Sequence, residues 1–534
     1  MKNKSRQEGS TTLWYALIIA GLCVSLYQVW SPAYFLTTDG PVHVYNADIL
    51  RSLFMKQDHG YYAALYHVNN QINANWLSHF ILGMLLSVFD SATSEKILIT
   101  SYLFLFLGGV YAYIRLVNKD GIFYLLAAFI FIFNTALLKG FYNFSFSMAL
   151  FPWFLNACIV LFRKCTFNKL LRMFLISLLI FVAHPLGYIV ALAISFFLLC
   201  SFLLSEKERL RSFGRAWLIY GSMQLPFGIW IILFNQKNND AFFRWVFNRA
   251  FINNHLLRFS SFHCYNNQEN IWCIASSLLL LSAFLMTILY RIRTKKYIHP
   301  QDGLLYGLVF LTGLYLFFPD YYPCPLMELR VQLFFFLTIF LFLIANLSLS
   351  KLSMIFSMCL FCLFRLLSIS RIQTIRHTDD ALRELEGACR FIKPETTLLG
   401  LNFHHHGQGT DGNEINSQND VFSHAHQYLG KKKNLFILDN YEANTSYFPL
   451  RYTDSVNPYK YLCKAESLES EDPAIDINQY ERTSGRKINY VLYGFFHKEL
   501  TKLENTFETN CQIQTLFSEI YRSPNGMYIL YERK

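Results

Sequence analysis

The stretch Thr38-Asp39-Gly40-Pro41-Val42-His43 sets a carboxylate and an imidazole four residues apart, in a 534-residue chain of which only 16% is charged. A carboxylate can take a proton from a hydroxyl, steady a developing positive charge or bind a cation, and a nearby imidazole can assist in each. Gly40-Pro41 predicts a turn, with Pro41 at the first position of a helix over 41–57 that lines Val42, Tyr45, Ile49 and Leu53 on one face. Asp39 then stands at or just before the helix N-terminus. It reads both as an N-cap and as a reactive carboxylate, and the two are compatible. His43 lies one turn on, where it packs locally or assists Asp39. Asp39 is the candidate ligand for a divalent metal such as Mg or Mn, although two ligands alone specify no metal. Asp48 and Arg51 read as a surface i,i+3 ion pair.

Other ionisable groups sit where apolar runs end. Arg330 follows "PDYYPCP" with Glu328 beside it. A guanidinium fork suits a phosphate, and an interfacial arginine reaching to the surface gives the same pattern. Glu328 pairs with Arg330 or serves as a second acid. His184, in "FVAHPLGY", lies between two apolar runs with almost no loop. An ionisable group at that depth is a functional candidate, or it marks the corner of a helical hairpin. Arg244, Arg249, His255 and Arg258, mixed with Asn and aromatics in 235–270, read as a cover for an anionic head group or as a surface amphipathic helix. His404, His405 and His406, with His424 and His426, look like a metal cluster by count alone. Adjacent loop histidines alternate in direction and no H-x-x-x-H helix is present, so they read as loop residues.

The elements that must position these groups are membrane helices. The chain is 53% hydrophobic and 17% aromatic, with 52 Phe and 33 Tyr. Apolar runs of about 18 residues or more cross a ~30 Å hydrocarbon core, and backbone in lipid must satisfy itself. Eleven spans are predicted: 12–30, 95–115, 121–138, 142–162, 169–183, 186–204, 216–234, 271–290, 303–318, 331–349 and 351–369. The stretch 76–90 is short for a span and is predicted as a half-buried surface helix. With it excluded, the basic loops around Arg6, Arg115, Arg163, Arg209 and Arg293 all fall on one side, which marks that side as cytoplasmic, the N-terminus included. The opposite side then carries the loop 31–94, the loops 235–270 and 319–330, and residues 371–534.

The net charge of +11 belongs to those loops, so nucleic acid is excluded as a partner. The 12 cysteines lack metal spacing outside the apolar runs and read as packing residues. Residues 12–30 read as an uncleaved signal anchor. Residues 371–534 read as a soluble α/β domain. It has a helix in "DDALRELEGACRFI", another in "HKELTKLENTF", and strands in "TTLLGLNF", "NYVLYGF" and "GMYILYER". No nucleotide-binding or nucleophile-elbow motif occurs in it.

A first span, a long outer loop opening with an acid, surface helices, many further spans and an outer soluble domain together resemble the GT-C superfamily of integral-membrane glycosyltransferases. The residues that carry the resemblance are Thr38 to His43, "GFYNFSFS" from Gly140, Ala183-His184-Pro185, and Met327-Glu328-Leu329-Arg330. Where many relatives show paired acids, this chain has a single Asp39 followed by Gly-Pro. The resemblance implies a mainly α, polytopic membrane domain over 1–370 with an extracytoplasmic α/β domain over 371–534, in a bacterial inner membrane. It implies inverting transfer of a sugar from a polyprenyl-phosphate-linked donor to a glycan, lipid or protein acceptor. In that reading Asp39 and His43 are catalytic, while Arg330, Glu328, Arg244, Arg249 and His184 bind the carrier phosphate. Two other functions fit the same outline: a catalytically inactive scaffold, or a transporter or flippase of lipid-linked glycans. A transporter predicts internal repeats and mid-span charges, and neither is evident in the sequence.

Overall fold

The computed structural model of the protein describes residues 2–56, 60–70, 74–205, 210–237, 260–295, 299–317, 326–347, 351–464 and 468–534. The helical part runs α1 (Lys2–Trp30), α2 (Gly40–Met55), α3 (Leu77–Leu85), α4 (Ser91–Val117), α5 (Tyr124–Ala128), α6 (Thr135–Leu138), α7 (Tyr142–Arg163), α8 (Phe167–Ala183), α9 (Pro185–Ser205), α10 (Leu210–Lys237), α11 (Glu269–Arg293), α12 (Gly303–Phe317), α13 (Met327–Asn346) and α14 (Lys351–Ala388). Among the described residues, seven helices are long and apolar enough to cross a membrane: α4, α7, α9, α11, α13, the apolar part of α1 and the first half of α14. The apolar cores of α8, α10 and α12 are shorter. The protein is a multi-pass membrane protein.

Two helices form the centre of the bundle. α7 and α13 are almost wholly buried, which accounts for apolar residues on every side of them. α4 packs against α7 where Gly108 and Gly109 leave room for the Trp153 ring, and Trp153 Nε1 donates to the Leu105 carbonyl at 2.8 Å. α4 itself begins where Asp90 caps the Thr93 amide at 3.0 Å.

The expected span 121–138 is a correction, because no continuous helix forms there. α5, a 3-10 turn over Phe129–Phe131 and α6 follow one another instead. Asn134 causes the break. Its Oδ1 caps the Leu137 amide at 3.0 Å while its Nδ2 donates to the Phe131 carbonyl at 3.0 Å, so one turn ends and the next starts on one side chain. The segment is buried inside the bundle, where an interrupted backbone can be satisfied. It still connects the two ends of the bundle. Tyr124 donates to the Leu347 carbonyl at one end, and the Leu138 and Lys139 carbonyls accept from Thr38 and Asp39 at the other. The stretch 76–90 behaves as expected, since α3 has nine residues, too few to cross.

α14 runs unbroken through residues 370 and 371, where the composition changes. Beyond it lies a five-stranded mixed sheet of order β3-β2-β5-β7-β6, built from β2 (Thr397–Asn402), β3 (Phe436–Ile437), β5 (Tyr490–Gly494), β6 (Phe517–Arg522) and β7 (Tyr528–Arg533). β2 is parallel to both β3 and β5, while β7 is antiparallel to β5 and β6. This unit is joined to the first loop by a second, two-stranded sheet. There β1 (Tyr66–Val68) pairs antiparallel with β4 (Leu450–Tyr452), Tyr66 facing Tyr452. α2 is consequently covered on both sides. Tyr45 donates to the Leu435 carbonyl at 2.6 Å, its ring lies under Gly430, and Asn46 and Asn440 exchange amide hydrogen bonds.

Candidate functional site

Asp39 occupies the N-cap position of α2, yet its side chain caps nothing. The local turn is held by other groups. Thr37 Oγ1 accepts from the Gly40 amide at 3.0 Å, and the Lys139 carbonyl accepts from the Asp39 amide at 3.2 Å. Two glycines make this possible. A Cβ on Gly40 would stand 2.1 Å from Glu95 Oε1, and one on Gly140 would stand 2.7 Å from the Asp39 amide nitrogen. Gly140 also has φ +78°, a conformation that disfavours any side chain. The Asp39 carboxylate is left to face the C-terminal unit. It lies close to the Tyr441 hydroxyl and 4.0 Å from His424 Nε2. The His424 ring stacks on Tyr441 with centroids 5.2 Å apart.

Burial raises the Asp39 carboxyl from 3.8 to about 7, opposed by the charge of His43 and reinforced by the negative charges of Glu442 and Asp420. Asp420 itself resists burial because the Lys139 ammonium beside it holds it down to about 2. Lys139 and Asp420 thus form a partly exposed ion pair beside the site. Beneath it, Glu95 on α4 accepts from the hydroxyls of Tyr142 and Tyr428, and Tyr142 lies 2.9 Å from Thr37 Oγ1.

His43 turns toward a different group. Its Nδ1 lies 3.0 Å from Glu442 Oε1 and 3.3 Å from His79 Nε2, and His79 Nε2 is 3.3 Å from Glu442 Oε2. Burial disfavours charge on both imidazoles. Glu442 outweighs this at His43, whose pKa rises, but not at His79, whose pKa falls. Glu442 is held down to about 2 against its burial by the two rings. Among the described residues, these three are the group of His, Cys, Asp and Glu close enough to hold a metal ion. Asp39, the ligand expected for Mg or Mn, is not one of them.

The remaining expected residues fall as follows. Arg330 is buried on α13 rather than reaching the surface, with its guanidinium 4.2 Å from the Phe141 ring centroid and 5.6 Å from that of Phe144. The His184 ring packs edge-on against Phe144, 5.4 Å between centroids. Arg330 and His184 therefore sit together behind Phe141, the residue that follows Gly140. Glu328 is in the first turn of α13. Arg244, Arg249, His255 and Arg258 lie outside the described residues, as does 318–325. Asp48 and Arg51 do form their i,i+3 pair at 2.8 Å, with Asp48 buried.

Six residues of the site are invisible to spacing: His79, Lys139, Asp420, His424, Tyr441 and Glu442. Four of them come from the C-terminal unit, several hundred residues away from Asp39. His79 carried the best available signal, being the ionisable residue inside the apolar stretch "NWLSHFILG". His424 was visible as a histidine in a loop, but its nearness to Asp39 depends on the fold. Of the other loop histidines, His405 lies near enough to influence His424 and Asp420 by its charge, while His406 Nδ1 lies 2.8 Å from the Asn416 carbonyl.

No protein-family model matches the sequence. No curated protein matches it. Among solved structures, the chain is similar to ArnT from Cupriavidus metallidurans. The TM-score is 0.49 to the apo crystal structure and 0.48 to the one bound to undecaprenyl phosphate, each at 10% identity and covering 98% of both chains.

Proposed function

We propose that the protein is a GT-C-like glycosyltransferase that moves a sugar from a polyprenyl-phosphate-linked donor to an outer-face acceptor, in cell-envelope glycan synthesis at a bacterial inner membrane. The N-terminus is cytoplasmic in this reading and residues 371–534 are extracytoplasmic, which the one-sided basic loops support. The outer face offers neither ATP nor nucleotide sugars, so the donor is lipid-linked.

One observation carries the reading. Asp39 is a buried carboxylate just past the first membrane helix, with its side chain not used as a cap and its pKa raised to about 7. A base with a pKa near the working pH is well matched to removing a proton from an acceptor hydroxyl. The acceptor oxygen then bonds to the anomeric carbon as the bond from that carbon to the carrier phosphate breaks. His43 assists by favouring the ionised carboxylate. Lys139 of the partly exposed ion pair, and Arg330 with His184 behind Phe141, supply positive charge and hydrogen-bond donors for the leaving phosphate. Glu328 serves as a second acid at the start of α13, Arg244 and Arg249 contact the carrier from the 235–270 loop, and the C-terminal unit helps to bind the glycan, lipid or protein acceptor.

The test is mass spectrometry of envelope glycans and lipid-linked intermediates from cells carrying wild type, a deletion or Asp39→Asn. Loss of the same sugar in the deletion and the point variant supports transfer with Asp39 as base. An effect of the deletion alone, with Asp39→Asn expressed normally, rejects it in favour of a scaffold or flippase.

A further inference from the structure

We infer that His43, His79 and Glu442 bind a zinc-class transition-metal ion, which clips the C-terminal unit onto the first loop. The inference goes beyond the transferase reading: His43, there a positive neighbour of Asp39, becomes a ligand of an ion that brings the positive charge. The three ligands come from α2, α3 and a short helix, Tyr441–Asn444, of the C-terminal unit. Their side chains are 4%, 1% and 0% exposed.

The spacing is that of a coordination sphere. Three donors each about 2.0–2.1 Å from one tetrahedral ion stand roughly 3.3 Å from one another. His43 Nδ1 and His79 Nε2 are 3.3 Å apart, Glu442 faces the first with Oε1 at 3.0 Å and the second with Oε2 at 3.3 Å, and one donor atom from each residue can be chosen with all three within 4.8 Å of one another. Glu442 Oε1 faces His43 Nδ1 at 3.0 Å, and a buried carboxylate oxygen placed there is served by a positive partner, an imidazolium or a metal ion.

The surroundings aim the donors. His79 Nδ1 is 3.1 Å from the Asn75 carbonyl. A carbonyl only accepts, so that nitrogen carries the proton and Nε2 turns a lone pair toward the cluster. The Gly140 backbone lies close to the His43 ring. Imidazoles backed by carbonyls are the usual outer arrangement of metal-bound histidines. Asn46 Nδ2 fixes Glu442 Oε2 from the other side at 2.7 Å. Phe448 closes the cluster, with its ring centroid 6.2 Å from each imidazole.

The donor set selects the ion. Two imidazoles and one carboxylate suit zinc or its neighbours, whereas Mg and Mn favour oxygen. Three protein ligands leave a tetrahedral ion one further position. Holding Glu442 also holds its neighbour Tyr441, whose hydroxyl lies close to Asp39. The ion is thus a device that sets the C-terminal unit over the Asp39 carboxylate.

The experiment uses the full chain, purified in detergent with its affinity tag removed. Elemental analysis is expected to return one zinc-class ion per chain. Cobalt(II) titrated into the chelator-stripped protein is expected to give the intense visible bands of a tetrahedral site at one equivalent. Glu442→Gln and His79→Gln should abolish those bands. Asn46→Ala should weaken cobalt binding by about 10- to 100-fold, as loss of an outer partner does. Folded wild-type protein, monodisperse and with a cooperative melt, that holds no stoichiometric ion and gives no cobalt bands would overturn the inference. So would bands that persist in the Glu442→Gln, His79→Gln double variant.

Discussion

Glu269 and Asp39 are both buried carboxylates close to the junction of the helical bundle and the C-terminal unit, but their surroundings differ in kind. Glu269 is fully served. Arg371 reaches it through Nε at 3.0 Å and Nη2 at 2.8 Å, and the amides of Cys264 and Tyr265 donate at 3.1 and 2.9 Å. Arg371 is satisfied in turn by the Phe262 carbonyl at 3.1 Å. Asp39 has the Tyr441 hydroxyl and a histidine 4.0 Å away, with two other carboxylates adding to its negative surroundings. The first carboxylate anchors the start of α11 to α14. The second is kept buried at a cost, which is the pattern expected of a group retained for chemistry.

The largest test of this contrast is Arg371→Ala, which leaves Glu269 buried and uncompensated. A loss of about 3–5 kcal/mol is expected, read as a collapse of the thermal midpoint in detergent. A small loss would remove the contrast from its structural side. Next is Asp39→Asn, which should move stability the other way. Between pH 3.8, where an ordinary aspartate ionises, and about 7, the folded protein holds the Asp39 proton and the unfolded chain does not. Folding stability therefore falls as pH rises across that window. At about 1.4 kcal/mol per pKa unit the cost reaches roughly 4 kcal/mol at most. Asp39→Asn should erase that slope, so its midpoint should exceed that of wild type increasingly from pH 4 to about 7. Equal slopes would show that Asp39 is not strained by burial.

A smaller effect is expected at the turn that presents Asp39. Gly140→Ala adds a methyl 2.7 Å from the Asp39 amide at φ +78° and should cost about 1–3 kcal/mol, together with the activity that depends on Asp39. Retained activity with unchanged melting would detach the turn from the site. The smallest effect belongs to the Lys139–Asp420 pair, which is partly exposed. Asp420→Asn should cost about 0.5–1 kcal/mol near neutral pH. Because the folded pKa of Asp420 is depressed to about 2, its contribution is present above 3.8 and lost as pH falls through 2. A pH series of midpoints for the variant against wild type checks both the size and the sign.

Some of this was legible from local chemistry alone. Gly40-Pro41 announced α2, and "TTLLGLNF", "NYVLYGF" and "GMYILYER" announced three strands of the five-stranded sheet, because turn residues and β-branched or aromatic runs act within a few residues. Ten of the eleven expected spans fall on helices for the same reason, since length and apolarity are local. The span over 121–138 was misread because its apolarity records burial in protein, and one side chain, Asn134, decides that the helix breaks. The partners of Asp39 and His43 were hidden for a deeper reason. Tyr441, Glu442 and His424 reach them only because β1 pairs with β4 and α2 is enclosed between the two units. No periodicity encodes that pairing.

The most direct measurement takes one purified preparation of Asp39→Asn in lipid vesicles. Its thermal midpoint at pH 7 is measured beside its turnover of lipid-linked donor extracted from cells that lack the gene. The account predicts a midpoint at or above that of wild type, with turnover abolished. Normal turnover, or a lost melt that explains the lost activity, would contradict it.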